Sequence, residues 1–237
     1  MTPRTTGVGA GSGPVDIRVT LLSAPVLLTI YRYHGEARHF GEYFPGFRSD
    51  PLFDFYSHIY QFASFFLLAF ILPFLYARLL GRRKPADLGF GAGDVRLGAK
   101  WIAFGIPLLA VPILLFASRM PDVRNEYPLA KILVARHDLL PWYHLAYVLL
   151  YYLAWEFYFR GFLLFSLRGP LGDANAILVQ TIPSCLVHIG KPEGEILGSI
   201  AAGILFGWIA LRTGSIWYVF VLHAAIGVLT DWFILFL

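Results

Sequence analysis

The chain has 237 residues, of which 57% are hydrophobic and only 14% are charged, and its formal net charge is +4 at pH 7. A soluble domain carries about 25% charged residues, so this composition excludes an ordinary soluble protein and predicts several membrane spans. The positive charge is explained by basic loops that face anionic lipid headgroups, and no basic stripe predicts a nucleic-acid partner. The lipid bilayer is therefore the expected surrounding.

The N-terminal third begins with polar sequence and becomes apolar. Residues 1–16 are rich in Gly and Thr and predict a flexible tail, followed by one integral membrane domain over 17–237. The apolar run at 17–33 is short for a span of about 20 residues, so it predicts an interfacial or tilted helix. Residues 32–54 are polar and aromatic and are interpreted as a loop.

Longer apolar segments follow and predict an all-α, polytopic membrane helix bundle with about six to eight transmembrane or membrane-embedded helices. The six predicted spans are 59–77, 97–116, 142–167, 174–188, 196–211 and 215–237. Residues 118–141 contain three prolines and predict an extramembrane loop with a short helix. By the positive-inside rule, the basic residues at 78–84 place the loop between the first two predicted spans in the cytoplasm, and the loop at 118–141 is expected on the opposite side.

The third span contains two charges, Glu156 and Arg160, one helical turn apart in YYLAWEFYFRGFLLFSL (151–167). A charge at the bilayer centre costs about 2.5–3.5 kcal/mol on insertion scales, so both side chains are expected to face the protein interior. A rise of about 1.5 Å per residue allows His188 and His223 to share one level with Glu156 near mid-membrane.

A carboxylate and two imidazoles in a semi-dry cavity have the chemistry for hydrolysis. The carboxylate can act as a general base, and a neutral imidazole can orient water or stabilise an oxyanion. Glu156, His188 and His223 are therefore the candidate catalytic residues, and Arg160 is a candidate supporting residue. These residue types also bind divalent metals such as zinc, although no HExxH motif is present. The hydrolytic interpretation requires no cofactor.

These residues carry a resemblance to a known family. WEFYFRGFLLFSL resembles the first motif, EExxxR, of the CPBP family of intramembrane glutamate proteases, which includes CAAX prenyl proteases and bacteriocin-associated, Abi-like members. Glu156 and Arg160 match the second glutamate and the arginine of that motif. His188 and His223 match the histidines of the second and third motifs.

The family-like core covers 83–237 and is strongest over 142–231. The resemblance implies an intramembrane endopeptidase in the bacterial cell membrane. In this family, water activated by Glu and His hydrolyses a peptide bond near the membrane, in a peptide or membrane-protein substrate.

Two positions depart from the family pattern. Trp155 stands at the position of the first glutamate, and the resemblance implies that this glutamate is the water-activating base. Gly227 stands at the position of an Asn or Asp in the third motif. Glu156 and its neighbour at 155 point about 100° apart on an α-helix, so a helix rotation is expected if Glu156 is to replace the missing base. Three further carboxylates are candidate supporting residues: Asp231, Glu193 and Glu195.

Two alternatives to a peptidase follow from the same residues. Trp155 and Gly227 motivate a catalytically inactive membrane scaffold or regulator of a partner protein. A small transporter that uses the Glu and His side chains as a proton or metal site is the third hypothesis. It predicts inverted repeats, and none is evident in the sequence.

Overall fold

The structure is a computed structural model that describes residues 16–237, so the tail predicted at 1–16 lies outside it apart from Asp16. All regular elements within 16–237 are helical. The main helices are α1 (Ile17–Ile30), α2 (Phe53–Leu80), α3 (Val95–Ala117), α4 (His137–Leu171), α5 (Asp173–Leu186), α6 (Glu193–Thr213) and α7 (Trp217–Phe236). Five of them, α2, α3, α4, α6 and α7, are long and apolar enough to cross a membrane. The protein is therefore an integral membrane helix bundle, as the composition predicted.

Helix α4 forms the centre of the bundle. Of its most apolar stretch, 67% is buried, against 6–39% in the other four spans. It is longer than the predicted span because it begins with a 3-10 turn at His137–Leu139, and Pro141 lies in the first α-helical turn that follows, where the missing N–H is not needed. Its hydrogen bonding is of π type over Tyr147–Tyr152 and Phe157–Leu164, on both sides of Glu156. The same bonding pattern also occurs in α2 and α3, so it does not distinguish the neighbourhood of Glu156.

Helix α5 differs from the predicted fourth span at 174–188. It has 14 residues, which corresponds to about 21 Å, and is shorter than the roughly 30 Å hydrocarbon core of a bilayer. Pro183 lies in its last turn, and Gly190 adopts a left-handed conformation with φ 100° in the tight turn that follows. The apolar composition continued to residue 188, but these two residues end the helix earlier.

Helices α5 and α6 form a closely packed hairpin. A Cβ added at Gly203 would lie 2.7 Å from Cγ2 of Thr181, so glycine allows the two backbones to approach. The turn between the helices, at 187–192, therefore carries His188 to a fixed position beside α4.

The connector RKPADLGF at 83–90 packs against the turn between α6 and α7. The backbone N–H of Ile216 donates to the carbonyl of Gly89 at 2.9 Å, and the indole N–H of Trp217 donates to the carbonyl of Phe90 at 3.0 Å. These bonds fix the beginning of α7 and hence the level of His223, two turns further along the helix.

Candidate active site

Glu156 is the central acceptor of the site. Its side chain is 0% exposed, and its Oε1 accepts a hydrogen bond from Nδ1 of His223 at 2.6 Å. The same oxygen accepts from a terminal nitrogen of Arg160 at 3.1 Å. The structure thus brings Glu156, Arg160 and His223 into direct contact, across 67 residues of sequence.

Arg160 neutralises the buried carboxylate. Its side chain is 2% exposed, and its guanidinium carbon lies 5.6 Å from the ring centre of Phe206 on α6. Two opposite charges removed from water are tolerated only when they are paired and hydrogen-bonded. The one-turn spacing on α4 supplies that pairing within a single helix.

His188 lies on the turn after α5, and its tautomer is set by the backbone. Its Nδ1 donates to the carbonyl of Ser184 at 2.8 Å, so the proton is on Nδ1 and Nε2 is free to accept. The nearest carboxylate oxygen is Oε1 of Glu195, 3.9 Å from Nε2. The side chains of His188 and His223 are 14% and 18% exposed, so both reach a surface that Glu156 does not.

Trp155 occupies the space beside both imidazoles. Its ring centre lies 5.1 Å from that of His188 and 5.8 Å from that of His223, and it is nearly perpendicular to both rings, at 72° and 85°. The indole thus contacts both histidines, while the Glu156 carboxylate bonds only to His223 of the two within the described residues.

Three buried polar atoms of the site have no hydrogen-bond partner within residues 16–237. They are the indole Nε1 of Trp155, Nε of Arg160 and the second carboxylate oxygen, Oε2, of Glu156. Buried polar groups are normally paired, and an unpaired one in a native structure requires an explanation. A donor and an acceptor of this kind are suited to bind water or a peptide group.

A polar network reaches the site from the loop between α3 and α4. Glu195 accepts from the hydroxyl of Tyr127 at 2.7 Å, and Lys191 donates to that hydroxyl at 3.0 Å and to Glu126 at 2.7 Å. Burial raises the pKa of Tyr127 well above its usual value, with the Glu195 charge adding to the effect. Tyr127 therefore remains a donor at neutral pH. The network connects the loop to Glu195 and hence to His188.

The other two carboxylates predicted as supporting residues lie away from the candidate catalytic residues. Asp231 is 0% exposed and accepts from Nε2 of His144 on α4 at 3.1 Å. Glu193 is exposed in the first turn of α6, and within 16–237 it makes no side-chain hydrogen bond. Of the three, only Glu195 is near the histidines.

Sequence reasoning missed several residues of this region. His144 was not selected because it lay at the edge of the predicted span at 142–167, where a histidine is ordinarily interfacial. It carries the same signal as His188 and His223, a polar side chain in an apolar helix. Tyr127 and Lys191 lie in loops and gave no local signal.

The predicted alternative of a metal at Glu156, His188 and His223 has no geometric support. Among residues 16–237, no three His, Cys, Asp or Glu side chains are grouped closely enough to hold a metal ion.

Comparison with known proteins supports the motif assignment. Residues 137–229 match the model of a family described as Type II CAAX prenyl endopeptidase Rce1-like. No match was found among curated proteins or solved structures. The matched segment contains Glu156, Arg160, His188 and His223. The match confirms the resemblance of this chain to the CPBP family, and at the level of that family it supports a CAAX-type intramembrane protease.

Proposed function

We propose that the protein is an active intramembrane endopeptidase of CPBP type, with Glu156, His188 and His223 as its catalytic residues. The observation that carries this proposal is the 2.6 Å hydrogen bond between the fully buried Glu156 and the partly exposed His223. A carboxylate bonded to one imidazole nitrogen orients the ring and stabilises its protonated form. The other nitrogen, Nε2 of His223, then serves as a general base.

In this mechanism a water molecule binds between the two imidazoles. Nε2 of His188 accepts one hydrogen of the water and orients it, and Nε2 of His223 takes the other proton as the oxygen attacks the substrate carbonyl carbon. A C–O bond forms and the carbonyl becomes a tetrahedral oxyanion. When the C–N bond breaks, His223 returns the proton to the departing nitrogen. Glu156 remains ionised, and Arg160 holds it in place.

The test is peptide cleavage by the purified protein in liposomes. The probes are a farnesylated peptide that ends in a CAAX sequence and the same peptide without the lipid, and the released fragments are identified by mass spectrometry. Glu156→Gln, His188→Ala and His223→Ala are each expected to reduce kcat by about 100-fold or more. His34→Ala is the matched control, because His34 is exposed and, within the described residues, its side chain bonds only Tyr43. Full activity in all three variants would contradict the proposal.

A second candidate function is a catalytically inactive scaffold or regulator of a membrane partner. Trp155 favours it, because the indole fills the position of the family's first glutamate and packs on both histidines. In that case the wild-type protein releases no fragment from either peptide, while Glu156→Gln weakens folding or partner binding. Cleavage by the wild type that is lost in Glu156→Gln at unchanged thermal stability excludes it.

The predicted substrate class, a peptide or membrane protein, and the bacterial cell membrane both belong to this proposal. The family match supports an integral membrane protease in general terms. The two probe peptides distinguish a lipid-dependent substrate preference from a general one.

A further inference from the structure

A basic cavity lies at the end of the bundle where α4 begins and α7 ends. It has a volume of about 470 Å³ and is lined on its polar side by Arg124, Lys131 and His137. The spans α4 and α7 begin and end at His137 and Phe236, so the cavity lies at the boundary of the membrane-spanning region.

Carboxylates lie near this cavity, and Glu126, Asp231 and Asp54 attract Lys131 without forming an ion pair with it. Arg124 donates to two backbone carbonyls, those of Ser118 at 3.2 Å and Ile234 at 3.3 Å. Within residues 16–237, neither Arg124 nor Lys131 forms an ion pair with a carboxylate. Nearby acids are bound to other residues: Glu126 to Lys191, Asp138 to Arg136 and Asp231 to His144.

The rest of the cavity is apolar. Val134, Ile234 and Leu235 line it beneath the basic groups. Beside it, Trp232 and Phe236 of α7 are 53% and 44% exposed and pack against each other, with ring centres 4.7 Å apart. Exposed aromatic residues at the end of a span are typical of the membrane–water interface, at the level of the lipid headgroups.

We propose that this cavity binds the phosphate group of an anionic phospholipid, with Arg124 and Lys131 as its cationic contacts. The basic side chains meet the phosphate, and the aliphatic floor meets the first methylene groups of the lipid chains. Arg and Lys side chains are the usual cationic ligands of phosphate groups. The cavity also borders Tyr127, but its cationic contacts include none of Glu156, His188 and His223, so the lipid proposal is tested separately from the peptidase proposal.

The experiment measures lipid retention by the full-length protein in mixed phosphatidylcholine and phosphatidylglycerol nanodiscs, with native mass spectrometry after release into detergent. The wild type is expected to retain phosphatidylglycerol in preference to phosphatidylcholine. Lys131→Gln should weaken that preference about fivefold, and Lys131→Arg should preserve it. Arg119→Gln is the charge-matched control, since Arg119 is exposed in the same loop and does not line the cavity.

Three outcomes would overturn the proposal. Equal retention of phosphatidylglycerol and phosphatidylcholine by the wild type would show that the protein does not prefer an anionic lipid. An equal loss of phosphatidylglycerol in Lys131→Gln and Arg119→Gln would show that binding does not depend on this cavity. Displacement of phosphatidylglycerol by millimolar inorganic phosphate identifies the ligand as a free phosphate and overturns the lipid assignment. The thermal stability of each variant is measured in parallel, so that a folding defect is recognised independently of lipid binding.

Discussion

The hydroxyl of Tyr152 on α4 lies directly against the α-carbon of Gly227 on α7. A Cβ added at Gly227 would overlap that hydroxyl and would lie 2.8 Å from ring carbon Cε2 of the tyrosine. Gly227 is the position where the CPBP third motif has Asn or Asp, so a phenol from another helix fills the space of a motif side chain. Trp155, 5.8 Å from the ring centre of His223, similarly replaces a motif glutamate.

We expect Gly227→Ala to destabilise the protein by about 1–3 kcal/mol, because Tyr152 is only 5% exposed and has little space to move. Thermal unfolding in detergent measures the change. Gly198→Ala is the control, since no atom lies within 4 Å of a Cβ at Gly198, and a small stabilisation is expected there. In a Tyr152→Ala background the penalty at Gly227 should largely disappear. If Gly227→Ala lowers stability equally in the wild type and in Tyr152→Ala, the contact between Tyr152 and residue 227 does not cause the loss.

The buried ion pair of α4 gives a second prediction. Arg160→Ala should reduce the free energy of unfolding by about 3–5 kcal/mol, because it leaves the Glu156 carboxylate buried without its cation. Arg168→Ala, on the same helix, removes a 40% exposed side chain that pairs with Asp173 and should change stability by about 1 kcal/mol or less. Similar losses in the two variants would mean that Glu156 is not charged in the folded protein.

The pair of His144 and Asp231 gives a third prediction. His144→Ala should destabilise the protein, since Asp231 is fully buried and its other oxygen, Oδ1, has no partner within 16–237. The double variant His144→Leu, Asp231→Leu should recover much of the loss, because an apolar pair removes both buried polar groups. Cleavage per folded molecule should stay unchanged in the double variant. Loss of cleavage at normal stability would place this pair in the catalytic machinery.

The fourth prediction concerns the network behind His188. Tyr127→Phe removes the 2.7 Å hydrogen bond to Glu195 and should cost about 1–3 kcal/mol, because the partly buried carboxylate keeps only longer contacts, to Lys191 at 3.8 Å and His188 at 3.9 Å. Tyr33→Phe is the control, since Tyr33 is 65% exposed and makes no side-chain hydrogen bond within the described chain. If both substitutions leave thermal unfolding unchanged, the network does not contribute to stability.

Much of the fold and the centre of the site could be predicted from polar residues whose exposure to lipid would cost free energy. Glu156, Arg160 and His223 were identifiable because polar side chains within apolar spans must find partners inside the bundle. The depth estimate along each helix placed them at one level, and the 2.6 Å bond between Glu156 and His223 fits that estimate.

Other features depend on contacts that have no local sequence pattern. Tyr127 and Glu195 are 68 residues apart, and the bond between them joins a loop to the first turn of α6. The position of the Trp155 indole depends on its contacts with His188 and His223, which a helical wheel of α4 alone does not include. The apolar composition of residues 174–188 predicted a full span, because composition does not show where a helix ends.

The shortness of α5 affects the electric field across the protein. The turn at 187–192 contains polar side chains and free peptide groups, which lipid cannot satisfy, so water must reach it from the side of the loop between α3 and α4. Over that region the apolar layer is about 21 Å thick, roughly two-thirds of the usual 30 Å. A transmembrane voltage therefore falls over a shorter distance beside α5, and the local electric field there is roughly 1.4 times as strong as across an undisturbed bilayer.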